Sequence, residues 1–251
     1  LVENRAGAGG IVAAQAITQA PADGYTLFFA AASALVIAPH VQAALPYDPT
    51  LDFSPVAFVA EIPLVIDVTP TIEAPTLSAL IARAGAQPGG IEYAANSPGT
   101  FPHLATELLA ARANVQLTYV PYKGVAQALP DVAGGRIVMV VEGLAGLASA
   151  IKAREVRAPN FPDLPTASET VRDYRAIGWF AVMARSGTPE SVLTRLHEEL
   201  SRVVASSETA SALQALSSYP RPMSREALAA FIRDEHKLWG DVVKRIGFKP
   251  H

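Results

Sequence analysis

Apolar and polar positions alternate between two rhythms along the chain. Leu77, Leu80, Ile81 and Ala84 repeat at i, i+3, i+4 and i+7 and predict a helix over 76–87, whereas the short apolar run Ile91 to Ala95 predicts a strand. The same signals continue on both sides. An alanine-rich stretch predicts a helix up to Ala20, the turn Pro21-Ala22-Asp23-Gly24 leads into a strand over 25–30, and a helix over 33–44 follows. Val56 to Val68 predicts a strand interrupted by Pro63. Further on, strands over 116–120 and 136–141 alternate with helices over 125–133 and 144–153. Alternation of this kind predicts an α/β fold with parallel strands and right-handed crossovers, in which ligands sit at the carboxyl ends of strands. The final third differs: a strand over 177–184, a helix opened by Thr188-Pro189-Glu190, and a long helix over 224–246. The apolar stripe of that last helix is Leu228, Phe231, Ile232, Leu238, Trp239, Val242 and Ile246, and Gly247 stops it.

Two strand-to-helix junctions hold candidate chemistry. After the strand ending at Ala95, Ser97 or Thr100 offers a helix N-cap and Pro98 or Pro102 an early helical residue, ahead of leucines 104, 108 and 109. Backbone N–H groups at such an end lack intrahelical partners and lie at the positive end of the macrodipole, so they can hold a carboxylate or phosphate without a lysine. Val120-Pro121-Tyr122-Lys123-Gly124 repeats the arrangement, with Gly124 allowing close backbone approach and Lys123 either a ligand group or a surface charge. His103 lies in the first junction, as a solute contact or as a hydrogen-bonding residue of the first helical turn. Glu142, at the end of an apolar strand, is either a solvated cap or a cleft residue.

Composition narrows the classes. Half of the 251 residues are hydrophobic and 17% are charged, which describes a globular chain long enough for two lobes. A net charge of −3 with singly scattered basic residues argues against nucleic acid. Cysteine is absent, excluding disulfides and thiolate chemistry, and the five histidines show no H-x-x-x-H or H-E-x-x-H spacing, so no metal is expected. Glycines 7, 9 and 10 do not fit G-x-G-x-x-G or a P-loop, and serines 33, 97 and 186 lack the G-x-S-x-G elbow. No cofactor is expected. No apolar run reaches membrane-spanning length.

In order along the chain, Val2-Glu3-Asn4-Arg5-Ala6-Gly7-Ala8-Gly9-Gly10, Pro21-Ala22-Asp23-Gly24-Tyr25-Thr26-Leu27 and Leu45-Pro46-Tyr47-Asp48-Pro49 stand before Gly99-Thr100 with His103-Leu104. Val120-Pro121-Tyr122-Lys123-Gly124, Phe161-Pro162-Asp163-Leu164-Pro165-Thr166, Trp179-Phe180 and Gly187-Thr188-Pro189 complete the set. Taken together they resemble the periplasmic solute-binding receptors of tripartite tricarboxylate transporters, the Bug (Bordetella uptake gene) family. The resemblance implies a two-lobed type II periplasmic binding protein fold with a ligand cleft between the lobes, one lobe from 1–96 and 178–251 and the other from 97–177. It implies a periplasmic receptor, monomeric, that captures a small organic carboxylate and passes it to membrane transporter subunits or to a sensor. Solute contacts would fall on Ser33, Asn96, Ser97, Gly99, Thr100, Lys123, Gly124, Val125, Ala126 and Glu142. The competing class is a cleft enzyme on the same α/β scaffold, which lacks a nucleophile, base and orienter at recognisable spacing. A sensory co-receptor for the same solute is a further alternative.

Three departures from the family pattern stand out. The first strand and Pro-Gly-Gly loop expected by resemblance do not precede Leu1, and Leu1 to Asn4 reads as the end of a strand. A strand and basic turn expected between Arg157 and Pro159 are replaced by Ala158 alone, and Glu142-Gly143 stands where Asp-Asn is usual. Alanines at 30–32 and 94–95 replace the hydroxyl or glycine positions of the family, which predicts an acid with an apolar body in preference to citrate.

Overall fold

The computed structural model describes residues 1–5, 8–96, 98–156 and 166–250. The strands are β1 (Leu27–Ala31), β2 (Phe53–Val68), β3 (Ile91–Ala95), β4 (Leu117–Pro121), β5 (Met139–Gly143) and β6 (Ile177–Arg185). The helices are α1 (Ile11–Gln19), α2 (Ala38–Val41), α3 (Leu77–Ala86), α4 (Phe101–Ala113), α5 (Val125–Ala133), α6 (Leu144–Lys152), α7 (Ala167–Thr170), α8 (Glu190–Val204), α9 (Ser207–Ala215) and α10 (Arg225–Arg245). The chain forms two compact units, Leu1–Ile62 with Gly178–His251, and Pro63–Ile177. The transfer near 177 falls where the sequence placed it. The other does not: residues 63–96 belong to the second unit, because Leu64–Val68 pairs with β5 and α3 packs in the same core. The 96/97 junction is therefore internal to the second unit, and the chain changes unit inside β2, at Ile62 and Pro63. The interruption expected at Pro63 is absent: β2 runs through it without a break.

In the first unit β1 runs antiparallel to β6, with Phe29 opposite Val182, and β6 lies beside β2. Val56, Ala60, Val182, Ala184, Leu193 and Val204 form one core cluster there. Phe58, Trp179 and Phe231 form an aromatic group, with Phe231 edge-on to both partners. Ser224 caps α10 by accepting from the Ala227 N–H, and Leu228, Ile232, Trp239, Val242 and Val243 are its buried face. The helix expected over 33–44 is shorter and irregular. Residues Ser33–Ile37 form a π-turn closed by an Ala38 N–H bond to the Ser33 carbonyl, and α2 continues only to Val41. Pro39 lacks the N–H that a regular helix would need, and a widened turn is the usual accommodation. Leu1 to Arg5 are irregular and exposed, not the end of a strand.

In the second unit the sheet order is β2, β5, β3, β4. β3 is parallel to both β4 and β5, as alternation predicts, but β2 is antiparallel to β5 and β1 antiparallel to β6. The parallel rule governs consecutive strands joined by one crossover, and β2 and β5 are not consecutive: α3, β3, α4, β4 and α5 lie between them, so no single crossover sets their relative direction. One sheet face buries Val65, Ala94, Val132, Val140 and Leu147, and the other Val68, Leu80, Ile91, Tyr93 and Met139. Helix α4 is buried on nearly all sides from Phe101 to Ala110. No helix among the described residues is long and apolar enough to cross a membrane. The junction at Arg157–Pro159, and Phe161 to Pro165 of the family-like motif, lie outside the described residues.

Candidate functional site

Because β4, β3 and β5 are neighbours and parallel, their carboxyl ends share one edge of the sheet. Each of these ends turns directly into a helix: β3 into α4, β4 into α5 and β5 into α6. Three helix N-termini therefore gather on that edge, each with N–H groups that lack intrahelical partners and with partial positive charge. Of the predicted contacts, Asn96, Gly99, Thr100, Lys123, Gly124, Val125, Ala126 and Glu142 all lie at this edge. Ser97 is outside the described residues. Ser33 belongs to the first unit, where it opens the π-turn and donates to the Gly9 carbonyl at 3.3 Å.

The loop after β3 is built from short polar contacts. Asn96 Nδ2 donates to Glu142 Oε2 at 2.7 Å, tying this loop to the end of β5. Tyr119 donates its hydroxyl to the Asn96 carbonyl at 2.5 Å, and the Gly99 N–H donates to His103 Nδ1 at 3.1 Å. Gly99 has φ +77°, a left-handed conformation that glycine adopts without a Cβ penalty. Thr100 is the N-cap of α4 with Pro102 in its first turn, which decides between the two caps and two prolines left open by the sequence. Asn96 Oδ1 and Thr100 Oγ1 are buried and find no hydrogen-bond partner among the described residues. Leaving such atoms unpaired costs about 1–3 kcal/mol each, so a polar group arriving here is stabilised.

His103 is the hydrogen-bonding residue of the first turn: it is 5% exposed, and burial pushes its imidazole down to about 4. Since its Nδ1 takes the Gly99 N–H, that amide is withdrawn from the anion-binding set, leaving the Thr100 amide at the α4 terminus. Glu142 is half-buried and folds back on its own helix start. Its Oε1 accepts the Gly143 N–H at 2.8 Å, and a Cβ on Gly146 would sit 3.1 Å from its Cγ. A carboxylate thus already occupies the α6 terminus, so a further anion is favoured at α4 and α5. At the α5 terminus Lys123 is exposed, Gly124 is the N-cap, and the Val125 side chain packs into the core, so Val125 offers its backbone only. Ala94 and Ala95 are buried on opposite faces of the sheet and do not line the edge, so their lack of hydroxyls says nothing about the solute. Sequence reasoning missed Tyr119: alternation placed it in a strand, and no local pattern announces a bond to a carbonyl 23 positions away. Among the described residues no group of three His, Cys, Asp or Glu side chains could hold a metal ion.

Residues 1–248 match the family model of the tripartite tricarboxylate transporter family receptor. The chain belongs to that family. It is 33% identical to protein BugT of Bordetella pertussis over 99% of this chain and 80% of that one. Among solved structures, R. palustris Rpa4515 with adipate is 30% identical with a TM-score of 0.83, covering 100% of this chain and 87% of that one. MatC (Rpa3494) from Rhodopseudomonas palustris with bound malate is 26% identical with a TM-score of 0.72, covering 94% and 85%. The fold is accordingly that of a two-lobed periplasmic binding protein, and the chain is a solute-binding receptor of the tripartite tricarboxylate transporter family. Family and structural relatives are binding proteins of the periplasm.

Proposed function

We propose that this receptor captures a small organic carboxylate at the strand ends of β3 and β4 and delivers it, in the periplasm, to membrane transporter subunits. The observation that supports this reading is the gathering of three helix N-termini on one sheet edge, with one of them already neutralised by Glu142. Backbone amides of Thr100 at α4, and of Val125 and Ala126 at α5, hold the carboxylate, with the Thr100 hydroxyl as a further donor. Lys123 is exposed and adds at most a screened attraction. Such a site suits one or two carboxylates better than three, because the Glu142 charge repels each additional one. Adipate and malate, held by the two relatives above, are of this kind. The receptor performs no chemical conversion in this reading.

Thermal unfolding with a panel of carboxylates tests it. A solute that binds the native state raises the melting temperature by mass action, and adipate or malate is expected to raise it more than citrate at equal concentration. Citrate giving the largest shift would overturn the charge argument, and no shift with any carboxylate would overturn the function.

A further inference from the structure

Two aromatic side chains hold the β3–α4 loop from behind, one at each end. Tyr119 fixes the Asn96 carbonyl where the chain leaves β3, and His103 fixes the Gly99 N–H where the chain enters α4. Their rings lie against each other with centroids 4.2 Å apart, so neither can shift without the other. Tyr119 is backed in turn by the Tyr93 ring at 5.5 Å, and Tyr93 is anchored by its hydroxyl bond to Glu107 Oε1 at 2.6 Å. The Gly99 bond also selects one tautomer of His103: Nδ1 must be bare to accept, so the imidazole proton sits on Nε2. The loop's backbone ends are thus committed to side chains inside the unit, and its remaining donors are those at the Thr100 end.

We propose that His103 and Tyr119 are positioning residues of the solute site: as a stacked pair they preset the Asn96 and Gly99 backbone so that the Thr100 amide is aimed before a solute arrives. The proposal rests on the reading that the strand ends hold a carboxylate. Without the pair, binding has to order a loop around a glycine at positive φ, and that ordering subtracts from affinity. The pair acts through Asn96 and Gly99 and touches no solute itself.

The full-length chain with His103→Leu, His103→Asn and Tyr119→Phe separates this role from mere packing. Two readouts are used: amide hydrogen exchange at Gly99 in the solute-free protein, and calorimetry with adipate and malate. His103→Leu and Tyr119→Phe are each expected to weaken binding about tenfold, the size of one lost hydrogen bond. Loop exchange should quicken in both, and at Gly99 itself in His103→Leu. His103→Asn, whose Oδ1 can stand near the lost Nδ1, should restore Gly99 protection and most of the affinity. A histidine that only filled space would lower the melting temperature in both His103 variants with no such rescue. The proposal is overturned if His103→Leu leaves Gly99 exchange unchanged, or if His103→Asn loses as much affinity as His103→Leu. Should His103→Leu fail to fold, Tyr119→Phe, which removes one oxygen, decides by the same two readouts. If the unaltered protein binds neither adipate nor malate, it is the carboxylate reading that fails on those probes, and Gly99 exchange still decides the positioning.

Discussion

Asp67 is fully buried on β2, opposite Val140, and neither carboxylate oxygen has a hydrogen-bond partner among the described residues. Val65, two positions earlier on the same strand face, lies in an aliphatic core cluster. Burial without a partner disfavours the charged form, and the Asp67 carboxyl is pushed up to about 7. The unfolded chain ionises near 3.8, so the stability linked to this proton is fully present below that pH and is lost as pH rises through 7. Asp67→Val is expected to raise stability at pH 8 by on the order of 3 kcal/mol, with a smaller gain at pH 5, read from urea unfolding at both values. An equal gain at both would mean that ionisation is not the cause. Glu142 gives a second test at this scale. Glu142→Gln keeps an oxygen for the Asn96 amide while removing the charge, so adipate affinity should rise a few-fold, roughly 0.5–1 kcal/mol, and more at low salt. Weaker binding would instead show that the carboxylate accepts a hydrogen bond from the solute.

Among elements, those specified by local periodicity were legible. Residues 91–95 and 125–133 carry the predicted strand and helix with the predicted bounds, whereas Thr76 and Ser224, predicted as first helical residues, are instead the N-caps of α3 and α10. The π-turn was not legible, because apolar residues from Ala34 to Ile37 are all buried and leave no period to read. Helix α9 was missed for the opposite reason: none of its residues is buried, so it shows no apolar stripe. The contact that the π-turn sets up is equally invisible locally. It delivers His40 onto α10, where its Nε2 lies 2.9 Å from the His236 carbonyl and its ring 4.3 Å from that of His236. A Cβ on Gly240 would stand 2.8 Å from the same ring. Gly240→Ala should therefore destabilise the protein by about 1–2 kcal/mol, even though alanine favours a helix by about 1 kcal/mol. His40→Ala in the same chain should recover most of that loss, as a double-mutant cycle in urea would measure. An additive result would remove the steric explanation.

For the whole molecule, the sequence signals were strong for the α/β class and for the second transfer between units, and misleading for the first. A loop rich in proline and glycine at 96–100 looks like a boundary, whereas the chain changes unit in mid-strand, where Glu61 and Pro63 mark the apolar run but do not stop the strand. The site was legible as far as helix starts announce themselves; the residues behind it, Tyr119 above all, depend on contacts distant in sequence. The second unit is one uninterrupted stretch with a core cluster on each sheet face, so a chain of residues 63–177 alone is expected to unfold cooperatively and to retain the chemical shifts of Gly99 and Thr100. Loss of cooperativity would show that it needs the first unit. The first unit is the discontinuous one. Its β1 pairs with β6, Phe58 packs on Trp179 and Phe231, and Glu61 bridges to Tyr219, so partners are separated by well over a hundred residues. During synthesis, where domains fold from the N-terminal end as they emerge, residues 1–62 must wait without partners while the middle of the chain is made. The first unit can therefore be completed only when the last helices are available, after the contiguous second unit already has all of its own partners.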